Sequence, residues 1–80
     1  MKAKVEVILR ADIFDPQGKT IKNALHHMDY KNISDVKVGK LFYIDIDTND
    51  KNQAQKELED MCHQLLANPV IEDYKVELTD

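Results

Sequence analysis

The chain has 80 residues, a single cysteine and a formal net charge of −4, with a pI near 5.2. It reads as one domain over residues 1–80: an intrachain disulfide is excluded, the charge lacks the basic footprint of a nucleic-acid binder, and no apolar run approaches the roughly 20 residues of a membrane span. A chain this short buries only about 60% of the surface its unfolded form exposes, so oligomerisation is the stabilising device left standing. The lone thiol, and the charges of Lys2, Lys4 and Glu6 where a signal peptide has its apolar core, point to a cytoplasmic protein.

Val5-Glu6-Val7-Ile8-Leu9-Arg10 alternates with period two and reads as a strand. Ala3, Val5, Val7 and Leu9 share one face, and Ile8 lies on the other among Lys4, Glu6 and Arg10. Asp15-Pro16 starts a helix, because Asp caps orphan amides and Pro at the first helical position loses no needed N–H. Ile21, Ala24, Leu25 and Met28 form its apolar stripe, and it stops near Asp29-Tyr30. Residues 32–35 are polar enough for a turn. From Val36 to Thr48 the alternation runs unbroken through Gly39, with no Asn-Gly or Asp-Gly signal. The expectation is one long strand, bent or bulged at Gly39, with a tight hairpin as the alternative.

Thr48-Asn49-Asp50 caps a second helix, and Asp50 with Gln53 resembles a capping box. Ala54, Leu58, Met61 and Leu65 form its stripe, and Asn68-Pro69 ends it. Val70 to Leu78 reads as the last strand, with Tyr74, Val76 and Leu78 inward. The order predicts an α+β fold, with two helices on one face of an antiparallel sheet in a relative of the ferredoxin-like arrangement, around a long bent central strand. The other sheet face would then be bare. Its apolar occupants, Ile8, Leu41, Tyr43 and Ile71, are the expected oligomer interface.

Few residues suggest chemistry. His26-His27 and Cys62-His63 are adjacent pairs, which do not face one another on a helix and lack zinc-site spacing. No metal site is expected. The two histidines suit a helix C-terminus, and Cys62 suits a core as a small hydrophobe. Asp45 and Asp47 share a strand face near Asp50, with no nucleophile or phosphate cradle beside them in sequence, so no catalytic group is expected. Gly18 in the first turn of a helix costs up to about 1 kcal/mol against Ala. One account is close approach of another backbone or an anion there; Lys19 suits the anion, and Lys37 and Lys40 flank Gly39 similarly, while simple flexibility at a turn and a bend accounts for both glycines equally well.

Asp15-Pro16-Gln17-Gly18-Lys19, Ala24-Leu25-His26, Val36-Lys37-Val38-Gly39-Lys40 and Asn68-Pro69-Val70-Ile71-Glu72-Asp73-Tyr74 together resemble the PurS family, over essentially the whole chain. PurS is the small subunit of phosphoribosylformylglycinamidine synthase. Two departures stand out. Ala11-Asp12 replaces the Pro-Gly that often precedes the first motif, and Asp29 replaces the usual Gly at the end of the first helix. The resemblance implies a homodimer or homotetramer with no catalytic residues and no cofactor of its own. It implies a bridge between the glutaminase PurQ, which releases ammonia, and the synthetase PurL, which uses ATP and magnesium to make formylglycinamidine ribonucleotide. Asp15, Pro16, Gln17, Gly18, Lys19, Lys37, Gly39 and Lys40 become the expected partner-binding residues. A bulky residue at Gly18 should then weaken binding to the synthetase while sparing the isolated fold. Two other classes fit less well. A small-molecule-binding regulatory domain of the ACT type favours a Gly-rich strand-to-helix loop that is lacking here. An RNA-binding sheet needs aromatics in a basic surround, where only Tyr43 qualifies.

Overall fold

A computed structural model describes residues 1–79. Strand β1 is Lys2–Leu9, helix α1 Pro16–His27, strand β2 Gly39–Asp45, helix α2 Lys51–Met61 and strand β3 Glu72–Thr79. The strands form an antiparallel sheet in the order β2-β1-β3, so the first strand is the central one and β2 lies at an edge. This is the expected α+β class.

The alternation in β1 places its faces as read from the sequence. Ala3, Val5 and Val7 are buried, with Val5 at 0% exposure. In register beside them are Ile44 and Phe42 on β2, and Leu78, Val76 and Tyr74 on β3. Leu58, Cys62 and Ala67 close the core from above. Each fully buried aliphatic side chain contributes about 1.5–3 kcal/mol, so a core this small leaves little margin.

Helix α2 starts where Asp50 accepts from the amides of Asn52 (3.0 Å) and Gln53 (3.2 Å). After Met61 it widens into a π-helical turn, Cys62–Leu66, closed by the Ala67 N–H on the Cys62 carbonyl at 2.9 Å. The extra residue per turn shifts the helical phase. Cys62 and Leu66 therefore point to the core, and Leu65, expected in the stripe, is 83% exposed.

The segment 36–48 holds a single strand, Gly39–Asp45, and no hairpin, but that strand is neither the long one the alternation suggested nor central, since β1 lies between β2 and β3. The ladder with β1 ends at Ile8 opposite Gly39. The Val38 amide goes instead to the carboxylate of Asp15. The last strand likewise begins at Glu72 and not Val70, because Asn68 winds residues 68–72 into a turn. Its backbone carbonyl accepts from the Ile71 and Glu72 amides, and its side chain accepts from Val70. Arg10 fastens this turn to the end of β1, through its amide on the Ile71 carbonyl (3.0 Å) and its guanidinium on the Pro69 carbonyl (2.8 Å).

Helix α1 stands apart. Its stripe supplies no residue to the core, and Ile21 and Met28 are exposed. The radius of gyration is 16.1 Å, against about 12 Å for a compact chain of this length. In a single copy the sheet is covered by α2, and α1 projects as an arm.

Candidate functional site

The first and third sequence motifs meet at Asp15. This residue precedes Pro16 in an extended conformation and caps α1. One carboxylate oxygen accepts from the Gly18 amide at 2.9 Å, and the other accepts from the Val38 amide at 2.8 Å. Asp15 is 8% exposed. The Gly18 amide, then the Val38 amide, hold its carboxyl below the usual value, with burial opposing and Gln17 and Lys37 adding smaller support.

Gly18 is buried against the loop leading to β2. A Cβ there would lie 2.1 Å from the Val36 carbonyl oxygen. Of the accounts of this glycine, close approach holds, and the approaching group is backbone of the chain itself. The Asp15 carboxylate occupies the amide an outside anion would use. The Lys37 ammonium closes the same junction by donating to the Ile13 carbonyl at 2.9 Å. Gly39 has a comparable reason, since a Cβ would meet the Val7 carbonyl oxygen at 2.7 Å.

The eight residues expected to meet a partner therefore divide. Asp15 and Gly18 are buried and Lys37 is half-buried; with Gly39 they shape the junction. Pro16, Gln17, Lys19 and Lys40 are exposed. Beside them lies a cleft of about 370 Å³ walled by Ile13, Phe14, Lys19, Lys22, Val36 and Lys37. Phe14 was missed in the sequence. It is 67% exposed, and the Lys19 ammonium lies 5.7 Å from its ring centroid. The signal was present: Phe14 directly precedes the cap and Lys19 is the fourth helical residue, the two positions of a hydrophobic staple, here joined by a cation–π contact.

The bare sheet face carries Ile8, Leu41 and Tyr43, all exposed, as expected. Around them charges alternate across the strands, with Lys4 between Tyr43 and Glu77, and Glu6 between Leu41 and Lys75. Ile71 lies in the turn before β3, half-buried.

The three histidines and Cys62 are engaged locally. His26 Nε2 pairs with the Ile33 carbonyl at 2.8 Å, and His27 Nδ1 with the Asn23 carbonyl at 2.9 Å. Cys62 is wholly buried; burial, then Glu59, push its thiol up. His63 meets Tyr74 edge-on, with ring centroids 5.9 Å apart. Asp29 takes the left-handed conformation, φ 73°, at the end of α1. The Tyr30 amide then reaches the Leu25 carbonyl and the Asp29 amide the His26 carbonyl, which completes a Schellman motif.

The family model for PurS, phosphoribosylformylglycinamidine (FGAM) synthase, matches residues 2–80. The chain is 40% identical to phosphoribosylformylglycinamidine synthase subunit PurS of Bacillus subtilis over 79 residues, covering 99% of this chain and 93% of that one. Among solved structures it resembles PurS of B. subtilis in its C2 crystal form with a TM-score of 0.90, at 40% identity, over 99% of this chain and 98% of that one. It also resembles a chain of PurLQS from Thermotoga maritima with a TM-score of 0.85, at 29% identity, over 95% and 93% of the two chains.

Proposed function

The chain belongs to the PurS family, and on that footing we propose that it is the non-catalytic assembly subunit of phosphoribosylformylglycinamidine synthase in de novo purine biosynthesis. It bridges the glutaminase PurQ and the synthetase PurL, so that ammonia from glutamine reaches formylglycinamide ribonucleotide without escaping to water. The likeness over nearly the whole chain to a component of the PurLQS assembly carries this reading. ATP and magnesium are handled by the synthetase. The cytoplasm, where the nucleotide substrates lie, is the place of action.

The junction supports it. Asp15 and Lys37 spend their polar atoms on the chain's own backbone, which suits a shape-setting role. Pro16, Gln17, Lys19 and Lys40 offer exposed side chains of the two motifs to a partner. The projecting arm, with Ile21 and Met28 exposed in one copy, and Ile8, Leu41 and Tyr43 on the bare sheet face support a homodimer or homotetramer.

The test is reconstitution. PurL and PurQ are assayed with glutamine, and separately with ammonium, with and without this chain. Glutamine-dependent product that appears only on its addition, with the ammonium rate unchanged, is the expected result. An unchanged glutamine rate with no complex formed rejects the reading.

A further inference from the structure

We infer that Asp15 is a latch that fixes the direction in which α1 leaves the sheet, presenting the helix as a set arm. An N-cap needs one side-chain oxygen on an amide of its own first turn, and Asp15 uses one oxygen in that way, on Gly18. Its second oxygen reaches 23 residues along the chain to the Val38 amide, immediately before β2. One buried carboxylate thus belongs to the helix and to the sheet at once. Bonds to an ionised acceptor are roughly twice as strong as neutral ones.

The arm has little else to hold it. No α1 residue enters the core, and residues 10–15 and 28–38, which join it to the strands, are loops. The other ties lie at the same junction or at the far end: the Lys37–Ile13 bond, the Val36 carbonyl against Gly18, and His26 on the Ile33 carbonyl. Lys37 reaches only the loop before the helix, at Ile13, whereas Asp15 joins the first turn of α1 itself to the residue before β2 through one carboxylate. It is a positioning residue, acting on partners through α1.

The consequence for assembly rests on the proposed function; the geometry is testable without it. Asp15→Ser keeps one acceptor at the cap and removes the second, and Asp15→Ala removes both. Spin labels go on cysteines introduced at the exposed positions Asn23 and Lys75, with the wholly buried Cys62 out of reach. Labelled chains are diluted into unlabelled ones, so that intrachain distances are read. The parent should give one narrow distance. Asp15→Ser should give a broad one with the helical circular dichroism retained, and its Val38 amide should exchange about tenfold faster or more. The oligomer should be lost in sedimentation. A distribution in Asp15→Ser as narrow as the parent's overturns the latch and leaves Asp15 a cap alone. If the parent itself sediments as a monomer, the assembly reading fails while the distances still decide the latch.

Discussion

The Val36 carbonyl oxygen stands where a side chain on Gly18 would begin, 2.1 Å from the Cβ position. Helix and loop are packed backbone to backbone, and the cost of glycine in a first helical turn is the cost of that approach. Read from sequence, a bulky residue at 18 spared the isolated fold. The contact lies within the chain, so the substitution acts on the fold first. Gly18→Ala should destabilise the isolated protein by about 1–3 kcal/mol, the range for forcing atoms into filled space. Chemical denaturation of the purified chain measures it, and a midpoint equal to the parent's rules out the close approach.

Asp15 gives stability a pH dependence with a definite sign. The Gly18 and Val38 amides favour the ionised carboxyl, so its folded pKa lies below the ordinary 3.8. The stabilisation is fully present above the unfolded value and disappears as pH falls through the folded one. Between neutrality and pH 5 this residue should contribute no slope. Below about pH 4 the parent should lose stability more steeply than Asp15→Asn, which cannot ionise. Parallel denaturation midpoints for the two proteins from pH 5 to pH 2 would contradict the assignment.

Much of this was legible in the chain because it is written locally. The β1 alternation, the Asp15-Pro16 helix start, and the Ala54-Leu58-Met61 stripe are short-range patterns that the core obeys. The failures come from hydrogen bonds that apolar spacing does not record, one long-range and the others local. Strand β2 is shorter than its alternation because the Val38 amide is claimed by Asp15 from 23 residues away. Leu65 is displaced from the core by a π-helical turn that the apolar spacing does not encode. The two motifs were recognisable separately; that a single carboxylate joins them is a fact of tertiary structure. Phe14 was the miss with a usable signal, its place just before the cap.

The end of α1 offers a stabilising substitution. Asp29 holds φ at 73° so that Tyr30 and Asp29 can return their amides to Leu25 and His26. A left-handed residue with a Cβ costs roughly 1–2 kcal/mol, less for Asp than for most. Glycine removes that cost but gives back part of it through a freer unfolded chain. Asp29→Gly should therefore raise stability by about 0.5–1 kcal/mol, and Asp29→Val should lower it. Thermal unfolding of both variants decides the matter; a destabilised glycine variant would mean that the Asp29 side chain is itself holding the turn.

Two apolar surfaces lack cover in a single copy, and they are not equivalent. On the sheet, Ile8, Leu41 and Tyr43 sit within a lattice of alternating charges, which limits the dry area available there. On α1, Ile21, Leu25 and Met28 form a stripe outside the core, with Ile21 and Met28 exposed and Leu25 half-buried. A stable interface removes about 800 Å² per partner, more than three scattered side chains provide, so both surfaces should be engaged, with the helix dominant. Ile21→Glu with Met28→Glu should reduce the sedimenting species to monomer. Leu41→Glu with Tyr43→Glu should weaken the assembly, shifting its dissociation to higher protein concentration. Neither pair touches the core, so Cys62 should stay closed to thiol reagents in both, which separates loss of assembly from loss of fold. An unaltered mass for the α1 pair would return the interface to the sheet face. An unaltered mass for the sheet pair would assign it to the arm alone.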